Sequence, residues 1–222
     1  MLAGKQIVIT GANGALGGAV VERALAHGAS VIGVDVKFGS SSNKMHQLAV
    51  DLTDIEATQK TLGGIDRVDA VCNIAGGFSM GPQAHALDND EWERLFAMNV
   101  TTMRNVNATL VPIMVKQKLG KIVNVGALAA REGQANMSAY CASKSTVMRL
   151  TESLSKELRP EGINVNAVLP SIIDTPTNRN DMPDANFNEW VAPADLAEVM
   201  LFLCSDAAGP IHGALLPVPG LS

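Results

Sequence analysis

The stretch Lys5-Gln6-Ile7-Val8-Ile9-Thr10-Gly11-Ala12-Asn13-Gly14-Ala15-Leu16-Gly17 passes from a mostly apolar run directly into glycines at every third position. Such a run suits a strand buried on both faces of a parallel sheet. From Gly18 to Gly28 the apolar residues recur at helical spacing, and the last glycine suits a C-cap. Strand, glycine loop and helix in this order form a phosphate-binding unit. Glycines let the backbone approach a pyrophosphate, and the free N–H groups and dipole at the helix start favour its negative charge. Glycine-rich turns of this kind also arise for steric reasons, so the loop alone decides little.

Beyond this unit, Ser30 to Asp35 reads as a second strand ending on an acidic residue, at the spacing expected of a carboxylate that binds a ribose. A carboxylate there repels a 2′-phosphate, which favours NAD (NADH) and makes NADP the lesser candidate; Lys37 lies near enough to soften the preference. Further strands are predicted over His46–Leu52, Asp69–Gly77, Gly120–Gly126, Ile163–Pro170 and Leu215–Val218, with a turn over Gly39–Asn43. Helical stretches alternate with them: Asp54–Leu62, a long helix N-capped by Asp88 that Pro112 should kink or interrupt, one carrying Tyr140, and Pro193–Cys204. Residues Ser171–Val191 have the composition of an irregular excursion. The alternation predicts an α/β chain with one Rossmann-like domain over residues 1–222. Its doubly wound parallel sheet has about seven strands, with helices on both faces. Ligands in such a sheet bind beyond the carboxyl ends of the strands, which would gather Gly11, Asp35, Asn73 to Gly77, Gly126 and Pro170 around one crevice.

Composition narrows the partners. At 222 residues, 47% hydrophobic and 18% charged with a formal net charge of -5, the chain is neither disordered nor basic enough for a nucleic-acid footprint, which leaves small molecules. No apolar run reaches membrane-spanning length, and the N-terminus enters a strand without room for a signal peptide, so a cytoplasmic protein is expected. Cys72, Cys141 and Cys204 lack Cys-x-x-Cys spacing and are expected to be reduced packing residues; the four histidines lack ligand spacing, so no metal site is expected.

Tyr140-Cys141-Ala142-Ser143-Lys144 places a tyrosine and a lysine on one helix face. An ammonium held near a phenol lowers the tyrosine pKa from its ordinary value of about 10, making a proton donor or acceptor. In isolation such a pair is far more often an ordinary amphipathic helix with a solvated lysine.

Taken together, Thr10-Gly11-x-x-Gly14-x-x-Gly17, Asp35, Asp51-Leu52, Asn73-Ile74-Ala75-Gly76, Asn99, Tyr140-x-x-x-Lys144 and Pro170-x-x-x-x-Thr175 make the chain resemble the short-chain dehydrogenase/reductase family over nearly its whole length. The resemblance implies that Gly11, Asn13, Gly14, Leu16 and Gly17 hold a pyrophosphate, Asp35 the adenosine ribose, and Asp51 with Leu52 the adenine. Asn73, Ala75 and Gly76 would line the cofactor's path, with Pro170, Ile173 and Thr175 at its nicotinamide end. Lys144 would bind the nicotinamide ribose and depress the pKa of Tyr140, the proton donor or acceptor, with Asn99 supporting a water relay to Lys144. The family's frequent pairing of long helices implies a homodimer or homotetramer.

Two departures stand out. Where most members carry a serine that hydrogen-bonds the substrate, this chain has Ala127, and the usual Pro-Gly reads Pro170-Ser171. Ala75-Gly76-Gly77-Phe78, Gly126-Ala127, and Asp174-Thr175-Pro176-x-Asn178-Arg179-x-x-Met182-Pro183 running on to Phe187 and Trp190 resemble dihydropteridine reductases, which work without that serine. This implies an NADH-dependent reduction of a quinonoid dihydropteridine or other activated acceptor, with Phe78 and Trp190 as aromatic walls or as anchors of their loops. A carbonyl/alcohol oxidoreductase on another small metabolite, and an NAD(H)-binding protein without turnover, are the alternatives.

Overall fold

The computed structural model describes residues 1–39 and 44–222; most of the turn expected at Gly39–Asn43 lies outside the described residues. Seven strands, β1 (Gln6–Thr10), β2 (Ser30–Asp35), β3 (His46–Ala49), β4 (Ala70–Asn73), β5 (Gly120–Val125), β6 (Ile163–Pro170) and β7 (Leu215–Val218), form one sheet in the order β3-β2-β1-β4-β5-β6-β7. All six pairings are parallel. The chain builds outward from β1 to β3, then crosses to the other side of β1 to lay down β4. That reversal opens a crevice at the carboxyl ends of β1 and β4.

Period-two alternation distributes the strand residues between two cores. Ile7 and Ile9 point to one face, with Cys72 and Val168, where they meet Val20 and Ala24 of α1 (Ala15–Ala26) and Leu196 and Met200 of α7 (Pro193–Leu203). Val8 points to the other, with Val71, Ile122 and Val165, against Leu62 of α2 (Ile55–Leu62) and Val106, Leu110 and Met114 of α4 (Thr102–Gln117). Every residue of β5 and β6 is buried, and the polar ones among them, Lys121, Asn124, Asn164 and Asn166, are hydrogen-bonded within the fold.

Two features depart from the sequence expectation, the course of the helix through Pro112 and the helical content of the 171–191 excursion. Pro112 does not interrupt its helix: α4 runs through it to Gln117. The interruption lies earlier, where α3 (Asn89–Phe96), capped by Asp88, passes into a π turn at Ala97–Thr101 before α4 begins. Such a turn carries one extra residue, a frequent feature of functional sites, and here it contains Asn99. The excursion after β6 holds a short helix, α6 (Pro176–Asp181), started by Thr175, whose hydroxyl accepts from Asn178 N at 3.2 Å. All three cysteines are free and buried, but Cys72 and Cys204, 132 positions apart, bring their sulfurs to 3.6 Å. Among the described residues no helix is long and apolar enough to cross a membrane, and no cluster of His, Cys, Asp or Glu could hold a metal ion.

Candidate active site

The glycine loop joins β1 to α1 as a close-packed turn. Gly11 has φ +66°, and a Cβ on it would stand 3.0 Å from Ala75 N. Gly14 caps α1 with no side-chain hydrogen bond, and the first turn of α1 holds no acidic residue. Its positive end is therefore open to an anion. Leu16 buries its side chain in the core beneath this turn. Asp35 Oδ2 accepts from Asn13 N at 2.9 Å and its Oδ1 from Val36 N at 2.8 Å, so the strand-end carboxylate also fixes the loop. Asp51 is held by Thr53, through N at 2.9 Å and Oγ1 at 2.7 Å, and these bonds keep its carboxyl below the usual range. Leu52 is buried, and its carbonyl accepts from Asn105 Nδ2 at 2.9 Å.

Beside the loop, Thr10 Oγ1 accepts from Ile74 N at 2.9 Å and Ala75 N at 3.0 Å, shaping the segment after β4. Asn73 Nδ2 donates to Asn107 Oδ1 at 3.1 Å and Asn124 Oδ1 at 2.9 Å, and Asn124 Nδ2 donates to Thr151 Oγ1 at 2.9 Å. Thr10 stood in the glycine motif without a role of its own, and Asn105, Asn107, Asn124 and Thr151 carry no motif in the sequence. The available signal was polar residues set into otherwise apolar strand and helix faces.

α5 (Ser138–Leu158) carries Tyr140 and Lys144. Asn99 Oδ1 accepts from Gly77 N at 2.9 Å, while its Nδ2 donates to Gly77 O at 3.1 Å and Ser143 Oγ at 3.0 Å. The π turn thus fastens the Gly76-Gly77 segment to α5. A Cβ on Gly76 would stand 2.6 Å from Asn99 Oδ1 and 3.4 Å from Lys144 Nζ, so Gly76, Asn99 and Lys144 meet at one point. Ser143, buried and bonded to Asn99, is a further participant the motif reading passed over.

One electrostatic expectation is corrected. Lys144 Nζ donates to Val125 O at 2.8 Å, and the phenol of Tyr140 is not depressed: burial pushes it up to about 12 and pushes Lys144 down to about 8. Desolvation disfavours both charged forms, and shared helix face does not determine where the ammonium points.

Phe78, 49% exposed, meets Tyr140 edge-on with centroids 4.9 Å apart. Ser79 donates to Glu91, which Arg94 holds at 2.7 and 2.8 Å, tying this loop to α3. Ala127 sits in an apolar cluster with Ala130, Met148, Ala167 and Leu169, against which Tyr140 packs. Trp190 is buried and stacks obliquely on Phe187 at 4.8 Å, holding its own loop. Pro170 ends β6, Ile173 packs on the first core, and Thr175 caps α6. An open groove of about 460 Å³ runs past Asp174, Thr175, Pro176, Arg179 and Asn180.

The glycine cradle, the uncapped helix start and the strand-end carboxylate fit a dinucleotide, and Tyr140, packed against Phe78 of the segment after β4, is of a type that can exchange a proton with a bound substrate. Residues 5–186 match the family model described as short chain dehydrogenase. The chain is 32% identical over 240 residues to the short chain dehydrogenase adrF of Penicillium rubens, covering 96% of this chain and 94% of that protein. Among solved structures, one described as an NAD(P)-dependent gluconate 5-dehydrogenase from Beutenbergia cavernae, with bound NADP, matches at TM-score 0.90 and 27% identity over 99% of this chain and 96% of that one. Carveol dehydrogenase from Mycobacterium avium in complex with NAD matches at TM-score 0.87 and 25% identity, covering 99% and 97%. With its sheet order, its glycine loop and its Tyr140–Lys144 helix all in agreement, the chain belongs to the short-chain dehydrogenase/reductase family of oxidoreductases.

Proposed function

We propose that the protein is an NAD(H)-dependent oxidoreductase acting on an activated acceptor of the quinonoid dihydropteridine type, with Tyr140 as proton donor. One observation carries this reading: Ala127 and its apolar neighbours stand beside Tyr140 where the family pattern has a substrate-polarising hydroxyl. Loss of a comparable donor elsewhere costs about 100- to 1000-fold in rate, which an acceptor already primed for reduction tolerates better than a plain ketone.

When bound, the nicotinamide supplies the hydride. Gly11, Asn13, Gly14, Leu16 and Gly17 would cradle the pyrophosphate at the open start of α1, and Asp35, whose carboxylate already accepts from Asn13 N, would take the ribose and disfavour a 2′-phosphate. Asp51 and Leu52 border the adenine. Asn73, Ala75 and Gly76 line the path to Pro170, Ile173 and Thr175 at the nicotinamide end. The Tyr140 phenol carries its proton at neutral pH, as its ordinary value of about 10 already ensures and burial reinforces, so it starts in the donor form for the reductive direction. Lys144 would orient the ribose, Asn99 holds Gly77, and Phe78 packs edge-on against the Tyr140 ring. The partners are a small-molecule substrate and further copies of the chain, as a homodimer or homotetramer.

The names of the relatives favour a second reading, a carbonyl/alcohol oxidoreductase. Ala127→Ser separates the two. Under the first reading it raises turnover of plain ketones by about 10- to 100-fold, a partial recovery of an oxyanion donor's worth, and leaves the rate with quinonoid dihydropterin little changed. Wild-type turnover of a ketone matching the quinonoid rate, with no gain from serine, overturns the first reading.

A further inference from the structure

The second departure, serine after Pro170, has a built environment. Ser171 Oγ donates to Pro219 O at 2.6 Å and stands 2.8 Å from Ser222 Oγ, from which it can accept. Ser171 N also reaches Val218 O at 3.3 Å. The turn that receives these bonds then returns to the far end of the 171–191 loop: Leu221 N donates to Glu189 O at 2.9 Å. Gly220 makes this approach possible, with φ +65° and a would-be Cβ only 2.8 Å from Glu189 O. Between these ends, Val191 N donates to Ile172 O and Asp174 N to Val191 O, both at 2.9 Å, closing the loop's neck beside Ile173. The loop is braced internally as well, since Arg179 pairs with Asp174 at 2.5 and 2.7 Å and lies 4.7 Å over the ring of Phe187.

We propose that Ser171 is a positioning residue. Its hydroxyl fastens the turn at residues 217–222 across both ends of the 171–191 loop, and so sets where Ile173 and Thr175 stand at the mouth of the site. A glycine at this position would keep the backbone bond to Val218 and lose both side-chain contacts. The consequence for the nicotinamide end rests on the dinucleotide reading above; the consequence for the loop does not.

The test uses the full chain with Trp92→Phe, which leaves Trp190 as the single tryptophan, and compares Ser171→Gly with Ser171→Thr. Tryptic cleavage after Arg179 and the emission of Trp190 report the loop, thermal melting reports the whole fold, and NADH titration reports the site. With Ser171→Gly, loop cleavage should rise about two- to tenfold, the worth of one net hydrogen bond. Trp190 emission should move to longer wavelength and NADH affinity should fall, with melting unchanged. Ser171→Thr, which keeps the hydroxyl, should restore all three readouts. Unchanged cleavage in Ser171→Gly, or cleavage rising only in step with a lower melting temperature, overturns the proposal. Failure of the unaltered protein to bind NADH would overturn the dinucleotide reading instead, while the cleavage comparison still decides the role of Ser171.

Discussion

Tyr140→Phe is expected to lower turnover by about 100- to 10,000-fold, the usual worth of a positioned general acid, with NADH affinity retained. The change removes one oxygen and keeps the ring, so the edge-on contact with Phe78 and the packing against the Ala127 cluster both survive. Lys144 stays on Val125 O and Asn99 on Gly77, so the cofactor side of the site is undisturbed. Tyr140 is the chain's one tyrosine, so phenolate absorbance reports its ionisation alone. In the cofactor-free protein that absorbance should rise only near the pH set by burial, about 12. Equal turnover by Tyr140→Phe and wild type would remove the proposed acid role.

Gly17→Ala is expected to abolish cofactor binding and to destabilise the fold. The new Cβ would stand 2.6 Å from Gly11 C and 2.9 Å from Ala12 Cα, and closer still to Gly11 O. These are backbone atoms with no rotamer to change, so α1 must move away from the loop and carry its N–H groups out of register with a pyrophosphate. Overpacking of this kind costs about 1–3 kcal/mol, occasionally more. The neighbouring Gly18→Ala is the control. Its Cβ would come no nearer than 3.9 Å to Ala12 O, and alanine in a helix is favoured over glycine by roughly 0.5–1 kcal/mol. Melting and NADH titration should therefore separate adjacent, chemically identical substitutions. Gly17→Ala binding NADH like the wild type would contradict the close-packed loop described here.

Much of this was legible in the sequence because the fold is written in local patterns. Apolar strands punctuated by glycines, with amphipathic helices between them, specify a parallel sheet, and the reversal after β3 brings the glycine loop beside Asn73 and Gly76. What depends on three-dimensional direction was not legible. A tyrosine and a lysine four apart share a face, but the lysine turns to Val125 O, so burial rather than a neighbouring charge governs the phenol. Pro112 looked like the helix breaker, whereas the break occurs where Asn99 must reach Gly77 and Ser143. The Cys72–Cys204 contact has no sequence signature at a separation of 132 residues. Ser171 read as a departure from a motif, and only its distances to Pro219 and Ser222 give it a role.

Tyr140, without a serine partner, is proposed to serve an acceptor that needs little polarisation. The most direct measurement is NADH oxidation by the wild-type protein with quinonoid dihydropterin beside a panel of unactivated ketones, with NADPH run in parallel. Turnover of the quinonoid acceptor should be at least about 100-fold faster than that of any ketone, the worth of one absent oxyanion donor, and turnover with NADPH should be slower because of Asp35. Tight NADH binding with no oxidation by any acceptor, or a ketone reduced as fast as the quinonoid compound, would contradict this proposal.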